Sequence, residues 1–370
     1  MRLKKQWTAR AMSVLLACTM TVSGLPAMAQ AAEAESASEV VAETGAEGAS
    51  EAGTQKQHGY QTVVKEYAPV ADGTVYYVDS EAGSDENDGT SPGKAFQTLD
   101  KVNGVKLKPG DSILLKKGSI FDNQRLYPKG KGTEERPILI SSYGEGNMPV
   151  INAGGFRKSG GTNKDGTPKY DGHKEAILIE NMEYTTVTGI EVTNDDDFTV
   201  NWQSGASNKD DELPRRLGIH VTVDERAADT YKGLEDRSYK GVVIDGCYVH
   251  DVDGNENRGV NKVDGGIGIE VIFSSKAGVY PYFDGVTIQN NRIEKCDRTG
   301  IKGIRISDLD NFKHNDPNKS DYDPNNDADN NGANDGSRSN NIRYKDQAQR
   351  NYKVLNNDVS DIGGDGILVC

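Results

Sequence analysis

The sequence predicts an all-β protein that folds as a right-handed parallel β-helix, a solenoid, with a short capping helix at its N-terminal end. Three observations indicate this fold: a repeated unit of two short strands around a bend, a Gly-Ile strand after each unit, and links of variable length between units. A solenoid tolerates variable links because each coil contacts only its neighbours.

The repeated unit is a short alternating strand, a bend of one or two residues, and a second short strand. When the copies are aligned at the bend, Gly246, Asn290 and Asn356 coincide. We expect Asn291 and Asn357 to form an asparagine ladder between coils, although asparagine also suits left-handed turns by itself. The copies are residues 184–192, 241–249, 285–293 and 351–359. The Gly-Ile strands that follow are 218–221, 266–271, 300–306 and 366–369.

The start of the domain predicts a cap for the open end of the solenoid. A strand at 75–78 is followed by a loop rich in Gly, Asp and Asn, and Ser91 then precedes a proline, as at a helix N-terminus. Phe96, Leu99 and Val102 recur at a spacing of three and would share one apolar helix face.

The first residues predict secretion. Residues 1–31 read as a signal peptide, with four basic residues, an apolar run too short to span a bilayer, and small residues at 27–29. A minor alternative is a lipid anchor at Cys18. Residues 32–58 are rich in Ala, Glu, Ser and Gly and are predicted to be a disordered leader. Residues 59–370 are assigned to the β-helix, with a polar insertion at 307–346.

The net charge limits the classes of partner, and the number of cysteines limits the kind of fold. The net charge of −14 argues against nucleic acid as a partner. The chain has no predicted transmembrane span and is expected to be a monomer. Its four cysteines do not indicate a disulfide-built fold, and we expect Cys247 and Cys296 to be small buried residues.

Several motifs between residues 74 and 370 resemble bacterial right-handed β-helix carbohydrate enzymes, especially proteins like those of glycoside hydrolase family 141. The motifs are at 76–80, 83–92, 98–103, 109–111, 130–138, 142–146, 250–253, 297–301 and 361–367. The resemblance implies xylanase or α-L-fucosidase chemistry. It identifies the scaffold better than the reaction, because hydrolases, lyases and binding proteins share such coils.

Glycoside hydrolysis requires two carboxyl groups that flank the scissile bond. Asp264, Asp297 and Asp365 precede or begin Gly-Ile strands, and we expect them to occupy corresponding turns of one groove and to be the catalytic candidates. Aspartate before glycine is also an ordinary turn composition, which is the competing interpretation. The predicted substrate-binding residues on the same wall are His250, Asp251, Arg298, Lys302 and Arg305. The last three would bind an acidic sugar or neutralise neighbouring acids.

The insertion contains a pattern of alternating oxygen ligands followed by glycine, which is typical of a Ca²⁺ loop. Asp327, Asp329 and Asn331 are therefore candidate metal ligands. A solvated Asn/Asp-rich loop is the competing interpretation, because Arg338 stands where an EF-hand has glutamate. No cofactor is required by the sequence, and Ca²⁺ is the one candidate.

The leading functional hypothesis is a secreted glycoside hydrolase that degrades a xylan- or fucoside-like polysaccharide in a groove along the β-helix. One alternative is a Ca²⁺-dependent pectate-type lyase, in which Lys302 or Arg305 would act as the base. Another is a non-catalytic surface protein that binds glycans. The chain stops within a strand at 366–369, so we expect further coils beyond it.

Overall fold

The computed structural model describes residues 55–57, 60–62, 65–164, 166, 168–195, 216–225, 237–253, 265–273, 281–308 and 350–368. The chain divides into two units, Met1–Ser50 and Glu51–Cys370, and all described residues belong to the second. The predicted signal peptide therefore lies outside the described residues, as does most of the predicted leader and insertion. Within the described part, no helix is long and apolar enough to cross a membrane.

The N-terminal elements lead into the first coil. An antiparallel pair, β1 and β2, occupies the end of the predicted leader and the residues after it. Two short helices follow β3, and the chain then forms the first parallel strands. The elements are β1 Gln55–Gln57, β2 Tyr60–Thr62, β3 Val75–Val78, the 3-10 helix Pro92–Lys94, α1 Leu99–Asn103, β4 Lys106–Leu107, β5 Ser112–Lys116, β6 Ile120–Asp122 and β7 Lys129–Gly130.

The remaining strands repeat in groups of three. A hairpin of β10 and β11 interrupts the first group. The strands are β8 Ile138–Tyr143, β9 Val150–Asn152, β10 Arg157–Thr162, β11 Pro168–Asp171 and β12 Glu175–Glu180; then β13 Thr185–Thr188, β14 Glu191–Asn194 and β15 Leu217–Glu225; then β16 Ser238–Asp245, β17 Tyr248–Val252 and β18 Gly265–Phe273; then β19 Tyr282–Gln289, β20 Arg292–Cys296 and β21 Thr299–Asp308; and finally β22 Lys353–Leu355, β23 Asp358–Ile362 and β24 Asp365–Leu368.

Successive members of each group belong to three different parallel sheets. Sheet 1 has seven strands in the order β22-β19-β16-β13-β8-β5-β3, sheet 2 has six in the order β23-β20-β17-β14-β9-β6, and sheet 3 has five in the order β12-β15-β18-β21-β24. From β8 onward the chain visits sheet 1, sheet 2 and sheet 3 in turn, and each strand pairs with its equivalent in the next group. The predicted all-β class is confirmed.

The core consists of aliphatic rows, one per sheet, in which residues at equivalent positions pair from strand to strand. In sheet 1 the row is Ile140, Val187, Ile244, Ile288 and Val354. In sheet 2 it is Phe121, Ile151, Val192, Val249, Ile293 and Val359. In sheet 3 it is Ile177, Ile219, Ile267, Ile301 and Ile367. Most of these side chains are fully buried in one hydrophobic cluster, so stacking of coils supplies the main apolar burial.

The bend between sheets 1 and 2 confirms the predicted repeat. Gly246, Asn290 and Asn356 all have a left-handed backbone, with φ of 64°, 55° and 52°. Glycine and asparagine tolerate this conformation best. The asparagine ladder is also confirmed, because the Asn291 Nδ2 donates to the Asn357 Oδ1 at 2.9 Å. Cys247 and Cys296 are buried free cysteines, as expected.

A short helix with a buried apolar face is present, as predicted, but it begins later than the Ser-Pro signal indicated. Ser91 precedes the 3-10 helix and makes no side-chain cap hydrogen bond. The α-helix begins at Leu99, after Thr98, whose hydroxyl accepts from the Lys101 N–H. Phe96 lies before the helix, yet it joins Leu99 and the rest of the apolar face in the core. The cause is a second cap signal at Thr98 that competes with the Ser-Pro signal.

Residues 65–74, which we call the N-terminal strap, run back onto sheet 1. The Tyr67 hydroxyl donates to Oδ2 of the buried Asp245, the last residue of β16, at 2.7 Å. Arg136 contacts both carboxylate oxygens of Asp72, at 2.5 and 2.6 Å. Because the strap leads directly into β3, it connects two strands that β5, β8 and β13 separate in the sheet.

Candidate functional site

Sheet 3 is bordered by the long links of the chain. Only two residues join β16 to β17, and the same holds for β19 and β20. Five of the links that lead into or out of sheet 3 are much longer: 195–216, 226–237, 253–264, 274–281 and 309–352. The others are short: two residues join β20 to β21 and β23 to β24, and four join β12 to β13. Loops on a rigid scaffold commonly carry binding and catalytic residues. Sheet 3 is therefore the candidate functional face.

Polar side chains occupy the face of sheet 3 that points away from the core. His220 in β15, Glu270 in β18 and Lys302 in β21 each directly follow a core isoleucine, so they project to the opposite side of the sheet. All three are nevertheless buried, at 3%, 2% and 3% exposure. Buried charged groups need partners, and these side chains have them.

The centre of this face is a cluster of Glu175, His220 and Glu270, which we call the His220 cluster. Nδ1 of His220 lies 3.3 Å from Oε1 of Glu175, and Nε2 lies 3.4 Å from Oε2 of Glu270. The first contact is a long hydrogen bond, whereas the second is an ion-pair contact without hydrogen-bond alignment. Arg125 and Lys174 also approach the Glu175 carboxylate, at 3.4 and 3.7 Å.

Opposite charges within the His220 cluster shift the pKa values of Glu175 and His220 toward their charged forms. Burial alone would raise the pKa of Glu175, but the hydrogen bond and charge of His220, with Lys174 and Arg125, outweigh it and lower the pKa to about 2. Burial alone would lower the pKa of His220, but Glu175 and Glu270 outweigh it and leave the pKa above its ordinary value of 6.5. Glu175 is therefore ionised near neutral pH, and its charge favours the protonated form of His220.

The predicted basic residues lie on or beside sheet 3. Lys302 pairs in register with Gly268, which pairs with His220, so lysine and histidine share one row. Arg298 is buried just before β21, and its carbonyl oxygen accepts from the Asp365 N–H at 3.1 Å. Arg305 pairs in register with Glu270, and its side chain is not described. Burial of Lys302 and Arg298 fits neutralisation of nearby acids better than contact with a dissolved acidic sugar.

The predicted catalytic aspartates differ in burial and in their position along the strands. Asp297 is half-buried at the corner between sheets 2 and 3, and Asp365 is exposed at the start of β24. Their predicted equivalence is wrong, because Asp365 pairs with Thr299, two residues beyond Asp297. They lie in neighbouring coils at the same end of sheet 3. Asp264 lies outside the described residues.

The prediction that His250 and Asp251 share a wall with these groups is wrong. Both belong to β17 in sheet 2, not to sheet 3. His250 Nδ1 lies 2.5 Å from Asp251, and its Nε2 lies 3.1 Å from Glu191 of the neighbouring strand. Its ring stacks on Tyr248 at a centroid distance of 4.1 Å. Outward side chains of sheet 2 face a different direction from those of sheet 3, because the chain turns a corner between them.

The candidate Ca²⁺ ligands Asp327, Asp329 and Asn331 lie outside the described residues, so the structure places none of them. Among the residues that are described, no group of three or more His, Cys, Asp or Glu side chains is arranged to hold a metal ion.

The sequence analysis missed all three members of the His220 cluster. A usable signal existed for two of them. His220 and Glu270 are polar residues inside predicted Gly-Ile strands, at positions that alternate with core isoleucines. Glu175 is the first residue of β12, whose apolar run at 176–179 was not recognised as part of the repeat.

Comparison with known proteins finds relatives among lacto-N-biosidases. No family model matches the chain. A lacto-N-biosidase of Bifidobacterium longum subsp. longum is 32% identical over 263 residues, which cover 62% of this chain and 16% of the relative. The crystal structure of a GH136 lacto-N-biosidase from Eubacterium ramulus, in its selenomethionine form, matches with a TM-score of 0.56 and 25% identity over 80% of this chain and 42% of that one.

The native form of the same Eubacterium ramulus enzyme matches with a TM-score of 0.50 and 26% identity, over 63% of this chain and 36% of that one. This chain therefore spans less than half the length of the relatives it matches. The matches support a glycoside hydrolase, as the sequence analysis expected. They do not confirm the resemblance to family 141, because the relatives found carry a different family number and a different activity.

Proposed function

We propose that the protein is a glycoside hydrolase of lacto-N-biosidase type, which acts on glycans that contain a lacto-N-bioside. The observation that carries this proposal is the agreement between a sequence relative and two solved structures, all of them lacto-N-biosidases. The polar face of sheet 3 supports it, because Glu270 is buried there and Asp365 is exposed at the start of the last strand of the same sheet. This substrate class replaces the xylan- or fucoside-like substrate expected earlier.

The proposed architecture is a right-handed parallel β-helix. Strands follow in the constant order of sheets 1, 2 and 3, and parallel crossover connections in proteins are right-handed in about 98% of cases. We further propose, on the sequence alone, that the protein is secreted through the signal at 1–31 and acts as a monomer. It would need no cofactor, with Ca²⁺ as the one candidate ion.

In the proposed reaction, Asp297 and Asp365 supply the two carboxyl groups. One protonates the glycosidic oxygen as the bond between that oxygen and the anomeric carbon breaks, and the other attacks the anomeric carbon or takes a proton from the attacking water. Their support is position: both lie where the chain enters sheet 3, in neighbouring coils. Asp264 remains a third candidate from the sequence.

The His220 cluster has a positioning role in this proposal. Both ring nitrogens of His220 already contact carboxylates, so the imidazole is held in one orientation beneath the polar face. Buried partners of this kind fix the groups that contact substrate. The cluster lies on β12, β15 and β18, while Asp297 and Asp365 lie at β21 and β24, so it would support the other end of a bound glycan.

The test is hydrolysis of an aryl lacto-N-bioside, compared with xylan, an aryl α-L-fucoside and polygalacturonate. We expect release of the aryl group from the lacto-N-bioside alone. Asp297→Asn and Asp365→Asn should each lower the rate by about 10²- to 10⁴-fold with little change in melting temperature. Asp361→Asn is the matched control, since Asp361 is exposed in sheet 2 and asparagine suits its φ of 52°.

Full activity in both variants would reject the two aspartates as catalytic residues. Turnover of xylan or of the fucoside in place of the lacto-N-bioside would reject the substrate class. Unsaturated products from polygalacturonate, detected by their ultraviolet absorbance, would indicate a lyase.

A further inference from the structure

Tyr127 extends the polar face of sheet 3 by one strand position. Its neighbour Leu126 pairs with Ile177 in an isolated parallel bridge. Ile177 heads the core row of sheet 3, so Tyr127 stands one residue beyond that row, as His220 and Lys302 do. Tyr127 is therefore the first member of the row that contains the buried histidine and lysine.

Polar and charged groups surround the Tyr127 ring. Its hydroxyl donates to Oε1 of Glu180 in β12. The Lys129 ammonium lies 2.8 Å from the ring centroid, and the Arg125 guanidinium carbon lies 5.0 Å from it. Arg125 also contacts Glu175, at 3.4 Å. The ring is thus connected to the His220 cluster through one arginine.

This end of the row is accessible, in contrast to its middle. Tyr127 and Arg125 are half-buried, and the Lys129 side chain is 45% exposed, whereas His220 and Lys302 are buried. The difference follows from the chain. Only residues 123–128 separate β6 from β7 here, while long links border β15, β18 and β21.

The charge of the patch indicates a neutral ligand. The two cations, Arg125 and Lys129, each face a carboxylate, that of Glu175 or Glu180. An anionic sugar would therefore have to compete with these carboxylates for its cations. A neutral pyranose presents an apolar face of C–H groups, which suits an aromatic ring, and hydroxyl groups at its rim, which suit carboxylate and guanidinium partners.

We propose that Tyr127, with Arg125 and Glu180, forms a subsite for a neutral pyranose of the glycan, one that lies beyond the bond that is cleaved. The inference rests on the proposed function for the identity of the glycan. Lys129, which is the most exposed member, moves off the ring when the sugar stacks on it. The same ammonium then donates to a sugar hydroxyl or to Glu180.

The experiment compares two substrates in the wild-type protein and in Tyr127→Ala. The aryl lacto-N-bioside has no sugar beyond the cleaved bond. A lacto-N-bioside that carries a chain of neutral sugars long enough to cross the four strand spacings from β21 to Tyr127, about 19 Å, has them. We expect Tyr127→Ala to raise the KM for the extended substrate about tenfold, which is about 1.4 kcal/mol of binding. Its kinetics on the aryl substrate should not change.

Two variants keep the result interpretable. Tyr127→Phe retains the ring and loses the bond to Glu180, so it should bind the extended substrate as the wild type does. Tyr77→Ala removes a half-buried ring of sheet 1 near the same end of the domain and should leave both substrates unaffected. Equal losses in Tyr127→Phe and Tyr127→Ala, or an unchanged KM in Tyr127→Ala, would overturn the subsite.

Failure of the proposed function is recognised separately. If the wild-type protein hydrolyses neither substrate, the hydrolase proposal fails, and binding of the intact extended oligosaccharide is measured by titration calorimetry. Weaker binding to Tyr127→Ala than to the wild type and to Tyr127→Phe would still support the subsite. Absence of binding to the wild type would overturn it.

Discussion

Glu175 and Glu270, on strands that β15 separates, contact opposite nitrogens of one imidazole ring, that of His220. All three side chains are buried, and those of His220 and Glu270 project from the side of sheet 3 that faces away from the core. Removing a charged partner from such an arrangement leaves buried charge uncompensated, which costs more than the intact pair contributes.

His220→Ala should therefore destabilise the fold by about 3–5 kcal/mol, measured by chemical denaturation. The loss comes from two carboxyl groups that keep their burial and lose their common partner. His173→Ala is the matched control, because the one described hydrogen bond of the His173 side chain is to the Asn123 carbonyl oxygen, and it should cost about 1 kcal/mol or less. Similar losses in the two variants would show that the His220 cluster is not an electrostatic unit.

The acid side of the stability profile should depend on Glu175. Its pKa is lowered from 4.5 to about 2 in the folded state, so its contribution is full above pH 4.5 and disappears as pH falls toward 2. The wild-type protein should lose about 3 kcal/mol more than Glu175→Gln across this window. Denaturation at a series of pH values measures it, with the exposed Glu134→Gln as control. Parallel profiles for the wild type and Glu175→Gln would contradict the assignment.

The alkaline side should depend on His220. Its pKa is raised in the folded state, so its contribution is full below pH 6.5 and is lost as pH rises through the folded-state value. His220→Gln should remove this part of the pH dependence. A decline on the alkaline side that is the same in His220→Gln and in the wild type would assign the titration to another group.

Asn291 should be the most sensitive position of the bend. Its amide oxygen accepts from the Cys247 N–H at 2.9 Å, and its Nδ2 donates to the Ile244 carbonyl oxygen at 3.1 Å. Asn291→Ala leaves these buried backbone groups unsatisfied and should cost about 2–3 kcal/mol in thermal or chemical unfolding. The exposed Asn147→Ala should have almost no effect. A neutral Asn291→Ala would show that the ladder is dispensable.

The N-terminal strap should protect the domain from proteolysis. Tyr67→Phe removes one hydrogen bond to a carboxylate, and should lower stability by about 1 kcal/mol and speed cleavage between residues 65 and 74. Asp245 keeps Gln289 and Asn290 as donors, at 2.8 Å each, so the β-sheet itself should stay intact. If cleavage within 65–74 is as slow as in the wild type, the strap is held by other contacts.

Local features of the fold were predictable because they repeat. Asn290 and Asn356 mark left-handed bends that few other residues tolerate, and the Gly-Ile pairs mark the entry to sheet 3. Alignment on the isoleucine of the Gly-Ile pair would also have corrected the predicted equivalence of Asp297 and Asp365. Counted back from the isoleucine, Asp297 lies four residues away from Ile301, but Asp365 lies two away from Ile367, so the two aspartates could not be equivalent.

The His220 cluster was not predictable in the same way. Its members come from three strands that the long links 195–216 and 226–237 separate, among others. The lengths of these links carry no information about which outward residues become neighbours, because the parallel sheets keep their register whatever the length of the link between two strands. The pairing of Glu175 with His220 therefore depends on the assembled sheet.

The strap also constrains the order in which the molecule can assemble. Tyr67 and Asp245 are 178 residues apart in sequence, whereas Cys247 and Asn291, which join neighbouring coils, are 44 residues apart. In a chain that emerges from the ribosome N-terminus first, the early coils can stack as they appear, but this clasp must wait until β16 has been made. The hydrogen bond between Tyr67 and Asp245 would therefore form only after the middle of the domain has folded. In a nascent chain arrested before residue 245, residues 65–74 would lack this contact.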